Sequence, residues 1–159
     1  MSITLHVNGR AALVAADPTT PLLDVLRNTL DLKGSRYGCG LEQCGSCMVL
    51  VDGEPVYACS REVGTVAGKR IETVESLADH PLRAAFLDEQ AGQCGYCLSG
   101  ILMSAKALLD RTPHPTRAQI VEALEPHLCR CGTQSRILRA VERAAAALPE
   151  GAQRLGAMS

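Results

Sequence analysis

Eight cysteines in 159 residues constrain this chain more than any other feature of its sequence. They fall into two groups of four, one in each half of the chain: Cys39, Cys44, Cys47 and Cys59, then Cys94, Cys97, Cys129 and Cys131. The first residues alternate apolar and polar side chains, without the basic and apolar segments of a secretory signal. We therefore expect a cytoplasmic protein, with membrane association or export only through a partner as the alternative. Structural disulfides need an oxidising compartment. Metal ligation is therefore the leading explanation of the cysteines.

The first group has the spacing CxxxxCxxC, with a fourth cysteine further along the chain. Plant-type ferredoxins use this spacing to bind a [2Fe-2S] cluster, with three thiolates supplied by one loop. Glycines allow positive φ angles and a close approach of the backbone to the cluster, and here they occupy positions Gly34, Gly38, Gly40 and Gly45. We therefore expect a [2Fe-2S] cluster on Cys39, Cys44, Cys47 and Cys59.

The second group combines a CxxC with a distant CxC, and each pair lies at a predicted helix junction. Two helical hairpins packed side by side would bring Cys94, Cys97, Cys129 and Cys131 together, and we expect a second [2Fe-2S] cluster there. Tetrahedral zinc sites of four cysteines also combine a CxxC with a distant pair. A zinc-stabilised interaction module remains an alternative, and the second spacing is the less diagnostic of the two.

Residues 1–77 have the pattern of a small β-rich domain. Asn8-Gly9 and Asp52-Gly53 are hairpin turn signals between alternating segments. We expect strands at 3–7, 11–15, 48–51, 56–59 and 70–74. A short helix over 22–30, with Thr20 as the N-cap and Pro21 in the first turn, would cross the strands. This order predicts a β-grasp arrangement.

From about residue 80 the apolar period changes from 2 to 3.6, which marks a second, helical domain over residues 78–148. Thr116 and Gln119 form a capping box for one of its helices. We expect four helices, at 81–90, 98–109, 117–125 and 137–148, and a C-terminal tail over 149–159. The predicted fold class is α+β, a β-grasp ferredoxin-like domain followed by a four-helix bundle.

The composition and the distribution of apolar residues along the chain argue against several functions. One Phe, three Tyr, no Trp and a net charge of −1 do not favour nucleic-acid binding. No apolar run approaches the roughly 18 residues of a membrane span, so we expect no direct membrane insertion. With two complete sets of four cysteines, no cluster needs a histidine, and we expect surface or capping roles for His6, His80, His114 and His127. Asp31, Glu42 and Glu62 are expected to be solvated charges, and the alternative is that they guide a redox partner.

Three segments resemble the small [2Fe-2S] subunit of the xanthine oxidase family of molybdenum hydroxylases: GCGLEQCGSCMV, QCGYCLSGILMSAKALL and HLCRCGT. The resemblance covers roughly residues 3 to 147. It implies that a large partner subunit holds molybdopterin and the substrate, so that no catalytic residue lies on this chain. It also implies that the helical-domain cluster takes the electrons first and that the ferredoxin-domain cluster passes them outward. By position, Gln93 and Cys131 match the residues that contact the pterin in this family.

The chain departs from the commonest family pattern beside the ligands. Many relatives have CGFCTPG and CRCTGY where this chain has CGYCLSG and CRCGTQ. The variant resembles the bacterial branch of nicotinate, isoquinoline and aldehyde dehydrogenases, which implies oxidation of an N-heteroaromatic compound or an aldehyde. The outer electron acceptor would be either a flavin subunit or a c-type cytochrome. The competing interpretation is a free-standing two-cluster electron carrier or an iron-sulfur redox sensor.

Overall fold

The computed structural model describes residues 2–149, and within them the fold is mixed α+β. The strands are β1 (Ser2–Val7), β2 (Arg10–Ala15), β3 (Met48–Val51), β4 (Glu54–Tyr57) and β5 (Arg70–Glu72). The helices are α1 (Leu22–Asp24), α2 (Pro81–Asp88), α3 (Leu98–Arg111), α4 (Arg117–Leu124) and α5 (Gln134–Ala146). The predicted tail lies outside the described residues except for its first residue.

The five strands form a single sheet in the order β2-β1-β5-β3-β4. Both predicted hairpins are confirmed, because β1 pairs with β2 and β3 pairs with β4, each antiparallel. Strand β5 lies between the hairpins, parallel to β1 and antiparallel to β3. Asn8 and Gly9 adopt left-handed φ angles of 50° and 77°, the turn that brings β2 back along β1. Strand β5 therefore joins the two hairpins into one continuous sheet.

The predicted helix after β2 is present, but it changes geometry along its length. Leu22–Asp24 is α-helical and Val25–Thr29 continues as a π-helix. The prediction that Thr20 caps this helix is wrong, since Pro21 is the N-cap and no side chain donates or accepts a capping hydrogen bond. The carbonyl oxygen of Thr20 instead accepts a hydrogen bond from the amide of Val63, 2.8 Å away. The backbone of Thr20 is therefore bonded to the segment that begins at Val63, and the side chain of Thr20 does not cap the helix.

The second half is helical as expected, with small differences in the helix ends. The capping box of α4 is confirmed: the amide of Gln119 donates to Thr116 Oγ1 at 3.3 Å, and the amide of Thr116 donates to Gln119 Oε1 at 2.8 Å. Helix α5 begins at Gln134, three residues earlier than the apolar stripe suggested. The helices share an apolar core built on Leu82, Ile101, Leu109, Ile120, Ile137 and Val141.

Helix α3 joins the helical core to the sheet. Its residues Met103 and Ala107 pack against Leu50 of β3 and Leu77 in a separate buried cluster. Beside that cluster, Lys106 Nζ lies 3.0 Å from a carboxylate oxygen of Glu72 in β5. Apolar packing and an ion pair of low exposure therefore fix α3 against the sheet. Because Cys97 directly precedes α3 and Cys47 directly precedes β3, this contact also fixes the two cysteine groups relative to each other.

Candidate metal centres

The first cysteine group lies at one end of the β3–β4 hairpin. Cys39 and Cys44 belong to the loop that precedes β3, Cys47 directly precedes β3, and Cys59 follows β4. The antiparallel register pairs Met48 with Tyr57, and beyond it the amide of Ala58 donates to the carbonyl oxygen of Cys47 at 3.3 Å, so that Cys59 follows directly beside Cys47. As a result the thiol of Cys47 interacts with that of Cys59. The hairpin delivers two ligands, and the loop delivers the other two.

Backbone amides of the loop point at the sulfur atoms of the first group. The amides of Leu41 and Gln43 each donate to Cys39 Sγ at 3.3 Å, and the amide of Cys39 donates to Cys44 Sγ at 3.4 Å. The two bonds from Leu41 and Gln43 lower the pKa of Cys39 to about 7. Such a concave arrangement of N–H groups favours bound negative charge. The loop is therefore prepared for thiolates and for an anionic cluster.

Burial has the opposite effect at Cys47. It raises the pKa of the Cys47 thiol to about 12, because a thiolate is disfavoured where water is excluded. A metal ion reverses this preference, since a coordinating thiol is deprotonated outright by the charge of the metal. The buried thiol thus needs a metal to ionise near neutral pH.

The second group lies where α3 and α5 begin. Cys97 is the N-cap of α3, and Cys129 and Cys131 precede α5. Cys94 Sγ lies 3.5 Å from Cys131 Sγ, and the thiol of Cys97 interacts with that of Cys129. The structure therefore brings together the CxxC and the CxC, as the sequence predicts.

The thiols of the second group also differ in their electrostatics. Burial raises the pKa of Cys97 to about 12. Burial also opposes ionisation of Cys129, but hydrogen bonds from the hydroxyl and amide of Thr133, from Cys97 and from the amide of Cys131 together outweigh it and lower that pKa to about 7. The amide of Tyr96 donates to Cys94 Sγ at 3.5 Å and lowers the pKa of Cys94. Each site therefore combines a buried thiol with thiols that ionise more easily.

The sulfur atoms approach one another in pairs. Cys39 contacts Cys44 and Cys47 contacts Cys59 in the first site; Cys94 contacts Cys131 and Cys97 contacts Cys129 in the second. Within residues 2–149, no three His, Cys, Asp or Glu side chains surround one point as a cage for a single ion. In a [2Fe-2S] cluster the four protein ligands are divided between two irons. The paired donor sets fit that group.

The two sites lie against each other across the contact between the halves. The amide of Leu128 donates to the carbonyl oxygen of Cys44 at 3.1 Å. The buried hydroxyl of Ser99 donates to the carbonyl oxygen of Ser46 at 3.2 Å. One end of each bond lies at or next to a cysteine of the first site. The other end lies within two residues of a cysteine of the second site. Neither bond follows from the local pattern of the sequence.

The four histidines have different environments. His6 and His114 are exposed, and His80 caps α2 by accepting from the amide of Leu82 at 3.2 Å. The prediction of a surface or capping role is wrong for His127. Its ring packs against Gly45 and Gly100, and burial lowers its pKa to about 4. Helix α3 carries a glycine at position 100, and a glycine inside a helical pattern is a sequence signal of such close packing.

Gln93 and Cys131 lie at the same end of the helical half. Gln93 is exposed, Cys94 follows it and is exposed, and Cys131 lies against Cys94. The structure therefore brings this pair of predicted contact residues to one surface. Glu42 is also engaged, since its carboxylate accepts a hydrogen bond from Ser60 across the first loop. Glu42 is nevertheless exposed, as expected of a solvated charge.

Comparisons with known proteins agree with both sites. The family model described as "2Fe-2S iron-sulfur cluster binding domain" matches residues 5–75, and the one described as "[2Fe-2S] binding domain" matches residues 71–142. One of the nicotinate dehydrogenase subunits from Pseudomonas putida is 53% identical over 148 residues, which are 91% of this chain and 94% of the relative. The chain belongs to the small iron-sulfur subunits of the xanthine oxidase family. It carries [2Fe-2S] clusters and is the electron-transfer subunit of an oxidoreductase.

Other members of the family agree in sequence and in fold. The alpha subunit of isoquinoline 1-oxidoreductase from Brevundimonas diminuta is 46% identical, over 90% of this chain and 97% of the relative. The crystal structure of quinoline 2-oxidoreductase from Pseudomonas putida 86 matches with a TM-score of 0.88 and 34% identity, over 92% of this chain and 94% of that one. Aldehyde oxidoreductase from Desulfovibrio gigas has the same TM-score at 36% identity, but this chain spans only 17% of that protein.

None of the helices within residues 2–149 has the length and apolar character of a membrane span.

Proposed function

We propose that this subunit relays electrons from a molybdopterin centre in a large partner subunit, through two [2Fe-2S] clusters, to an outer acceptor. The ligands would be Cys39, Cys44, Cys47 and Cys59 in one cluster and Cys94, Cys97, Cys129 and Cys131 in the other. The observation that carries this proposal is the arrangement of the eight sulfurs as four close pairs in two neighbouring sites. When bound, the clusters supply reversible electron transfer.

The residues of this chain prepare both sites for negative charge. Amides of the first loop donate to Cys39 Sγ, and the amide of Tyr96 donates to Cys94 Sγ. Hydrogen bonds to cluster sulfurs and the exposure of a cluster are among the factors that set its reduction potential. These contacts are where the protein would adjust the potentials of the two centres.

The family resemblance implies that electrons enter at the second site, and exposed residues at both sites leave room for the partners that this direction needs. Gln93 and Cys94 are exposed, so in this proposal that end faces the large subunit, with Gln93 and Cys131 beside the pterin. The loop of the first site exposes Leu41, and the electrons would leave there to either a flavin subunit or a c-type cytochrome. The substrate of the complex would be an N-heteroaromatic compound, as the names of the nicotinate and isoquinoline relatives suggest, or otherwise an aldehyde.

The proposed division of the chain follows the two sites. A β-grasp ferredoxin-like domain would cover residues 1–77, a four-helix bundle residues 78–148, and a tail residues 149–159. Helices α2 to α5 and their shared core support the bundle. The location of the complex would be cytoplasmic.

Copurification from the native host tests the proposal. We expect a large molybdopterin-containing subunit to accompany this chain, with about four irons per copy of it. In two matched variants, Cys59→Ser and Cys94→Ser, we expect about two irons each and the loss of a different reduced-cluster EPR signal. A protein with bound zinc, or one that transfers electrons at the full rate without a partner subunit, would overturn the proposal.

A further inference from the structure

The side chain of Tyr96 connects the two cysteine loops. Tyr96 lies between Cys94 and Cys97 of the second site. Its hydroxyl donates a hydrogen bond to the carbonyl oxygen of Tyr37, which lies two residues before Cys39 of the first site. Its amide donates to Cys94 Sγ at 3.5 Å. One residue therefore contacts a ligand of one site and the backbone that leads into the other.

A positive charge lies on the same side chain. The guanidinium carbon of Arg36 is 5.2 Å from the centre of the Tyr96 ring, in a cation–π arrangement. The amide of Arg36 also donates to the carbonyl oxygen of Ser46 at 3.1 Å, which anchors this residue next to Cys47. The positive charge thus belongs to Arg36 of the first loop, and it lies over the ring of Tyr96 in the second loop.

The first loop is shaped to receive these contacts. A β-carbon at Gly40 would lie 2.2 Å from the phenolic oxygen of Tyr37, and Gly40 has a φ of +68°. The ring of Tyr37 therefore lies over the glycine that follows Cys39, with its carbonyl turned toward Tyr96. Between β2 and β3 the segment around Cys39 has no strand or helix. Its position depends on contacts such as these.

We propose that Tyr96 is a positioning residue that ties the two cysteine loops together and holds the charge of Arg36 beside them. This inference rests on the proposed function, in which both loops bind clusters. An electron that leaves the Cys94 site enters the Cys39 site, so one centre is oxidised as the other is reduced, and no proton or bond moves. The distance between the loops governs that transfer, and the nearby charge affects the reduction potentials.

The hydroxyl of Tyr96 distinguishes this chain from the pattern CGFC. A phenylalanine at this position keeps the ring under Arg36 but cannot donate to Tyr37. Tyr96→Phe is therefore a conservative change that removes only the tether. Tyr37→Phe is a matched control, because it also removes a phenolic hydroxyl from the same cluster of side chains while the carbonyl that accepts from Tyr96 stays in place.

The experiment compares these variants as full chains after cluster loading, and the iron content of each is measured first and is expected to equal that of the wild type. In Tyr96→Phe we expect amide exchange at residues 34–46 to rise about two- to fivefold, the factor that corresponds to the loss of one exposed hydrogen bond. We also expect a weaker magnetic interaction between the two reduced clusters by EPR. Tyr37→Phe should match the wild type in both measurements. In Arg36→Gln we expect a lower reduction potential of at least one cluster, with exchange closer to the wild type than in Tyr96→Phe.

The results separate this inference from the proposed function. A wild-type protein without about four irons would overturn the proposed function itself. If the wild type is fully loaded and Tyr96→Phe equals it in exchange and in EPR, only the inference about Tyr96 fails. Equal changes in Tyr96→Phe and Tyr37→Phe would also overturn it, because the effect would then come from any change in the loop. Loss of iron in Tyr96→Phe would make this residue part of cluster binding, which contradicts a positioning role.

Discussion

The amide nitrogen of Leu128 donates a hydrogen bond to the carbonyl oxygen of Cys44 across 3.1 Å. Leu128 directly precedes Cys129, so this bond joins a ligand of the first site to the neighbour of a ligand of the second. Both atoms belong to the backbone. The contact is therefore independent of the side chain at position 128, which is 63% exposed.

The Leu128 bond can be removed without changing a cysteine. In Leu128→Pro the donor is lost, and we expect the free energy of unfolding to fall by about 1 kcal/mol or more. Proline also restricts the backbone of the preceding residue, here His127. Leu128→Ala keeps the amide and is the control. Urea unfolding of the cluster-loaded proteins measures both, and equal stability of the two variants would show that the bond contributes nothing.

A second bond across the same contact involves side-chain chemistry. Ser99 is 6% exposed, and its hydroxyl donates to the carbonyl oxygen of Ser46. In Ser99→Ala we expect a loss of about 1 kcal/mol in unfolding free energy. The loss should be no larger, because the Ser46 carbonyl also accepts from the amide of Arg36. Thermal or urea unfolding tests this, and Ser99→Thr, which keeps a hydroxyl, should recover part of the loss. No change in Ser99→Ala would contradict the prediction.

The cysteine sites were predictable because their signals are local. Spacing alone grouped Cys39, Cys44 and Cys47 in one loop, and the change of period marked where strands give way to helices. The capping box at Thr116 was predictable for the same reason, since three residues separate its partners. Each of these features depends on neighbours along the chain.

The contacts between the sites were not predictable from local patterns. The partners Leu128 and Cys44 are 84 residues apart, since 128 − 44 = 84, and no periodicity relates them. His127 shows the same limit: its half-buried ring occupies space left by Gly45 and Gly100 on two other segments. The sequence predicts a surface or capping role for His127 because two complete sets of four cysteines leave no cluster that needs a histidine.

Substitution of Gly100 tests how closely helix α3 packs against the loop of the first site. A glycine-to-alanine change inside a helix normally stabilises it by about 1 kcal/mol. Here the new β-carbon would lie 1.9 Å from the carbonyl oxygen of Gly45, a backbone atom that cannot move aside cheaply. We therefore expect Gly100→Ala to lower the melting temperature. Gly92→Ala is the control, because its β-carbon would meet only the flexible end of Leu98 at 2.5 Å. A Gly100→Ala protein at least as stable as the control would contradict the close contact.

His80 lies outside both cysteine sites, and its environment predicts that the stability of the protein depends on pH. Burial, followed by the charge of Lys106, lowers the pKa of His80 below its usual value, while Asp110 and Glu72 act weakly in the opposite direction. The neutral ring also accepts from the amide of Leu82 through Nδ1, which a protonated ring cannot do. The stabilisation is therefore present above the unfolded-state pKa of about 6.5 and is lost as the pH falls below it.

The measurement is the free energy of unfolding of the wild type and of His80→Asn between about pH 7.5 and pH 5.5, a window that spans the ordinary histidine pKa. Asparagine is a good N-cap that does not titrate. We therefore expect the wild type to lose more stability than the variant on acidification, since only the wild type must bind a proton at a half-buried cap. Both proteins carry the same cysteines, so acid effects on the clusters cancel in the difference. Parallel pH profiles would mean that the His80 cap does not couple folding to protonation.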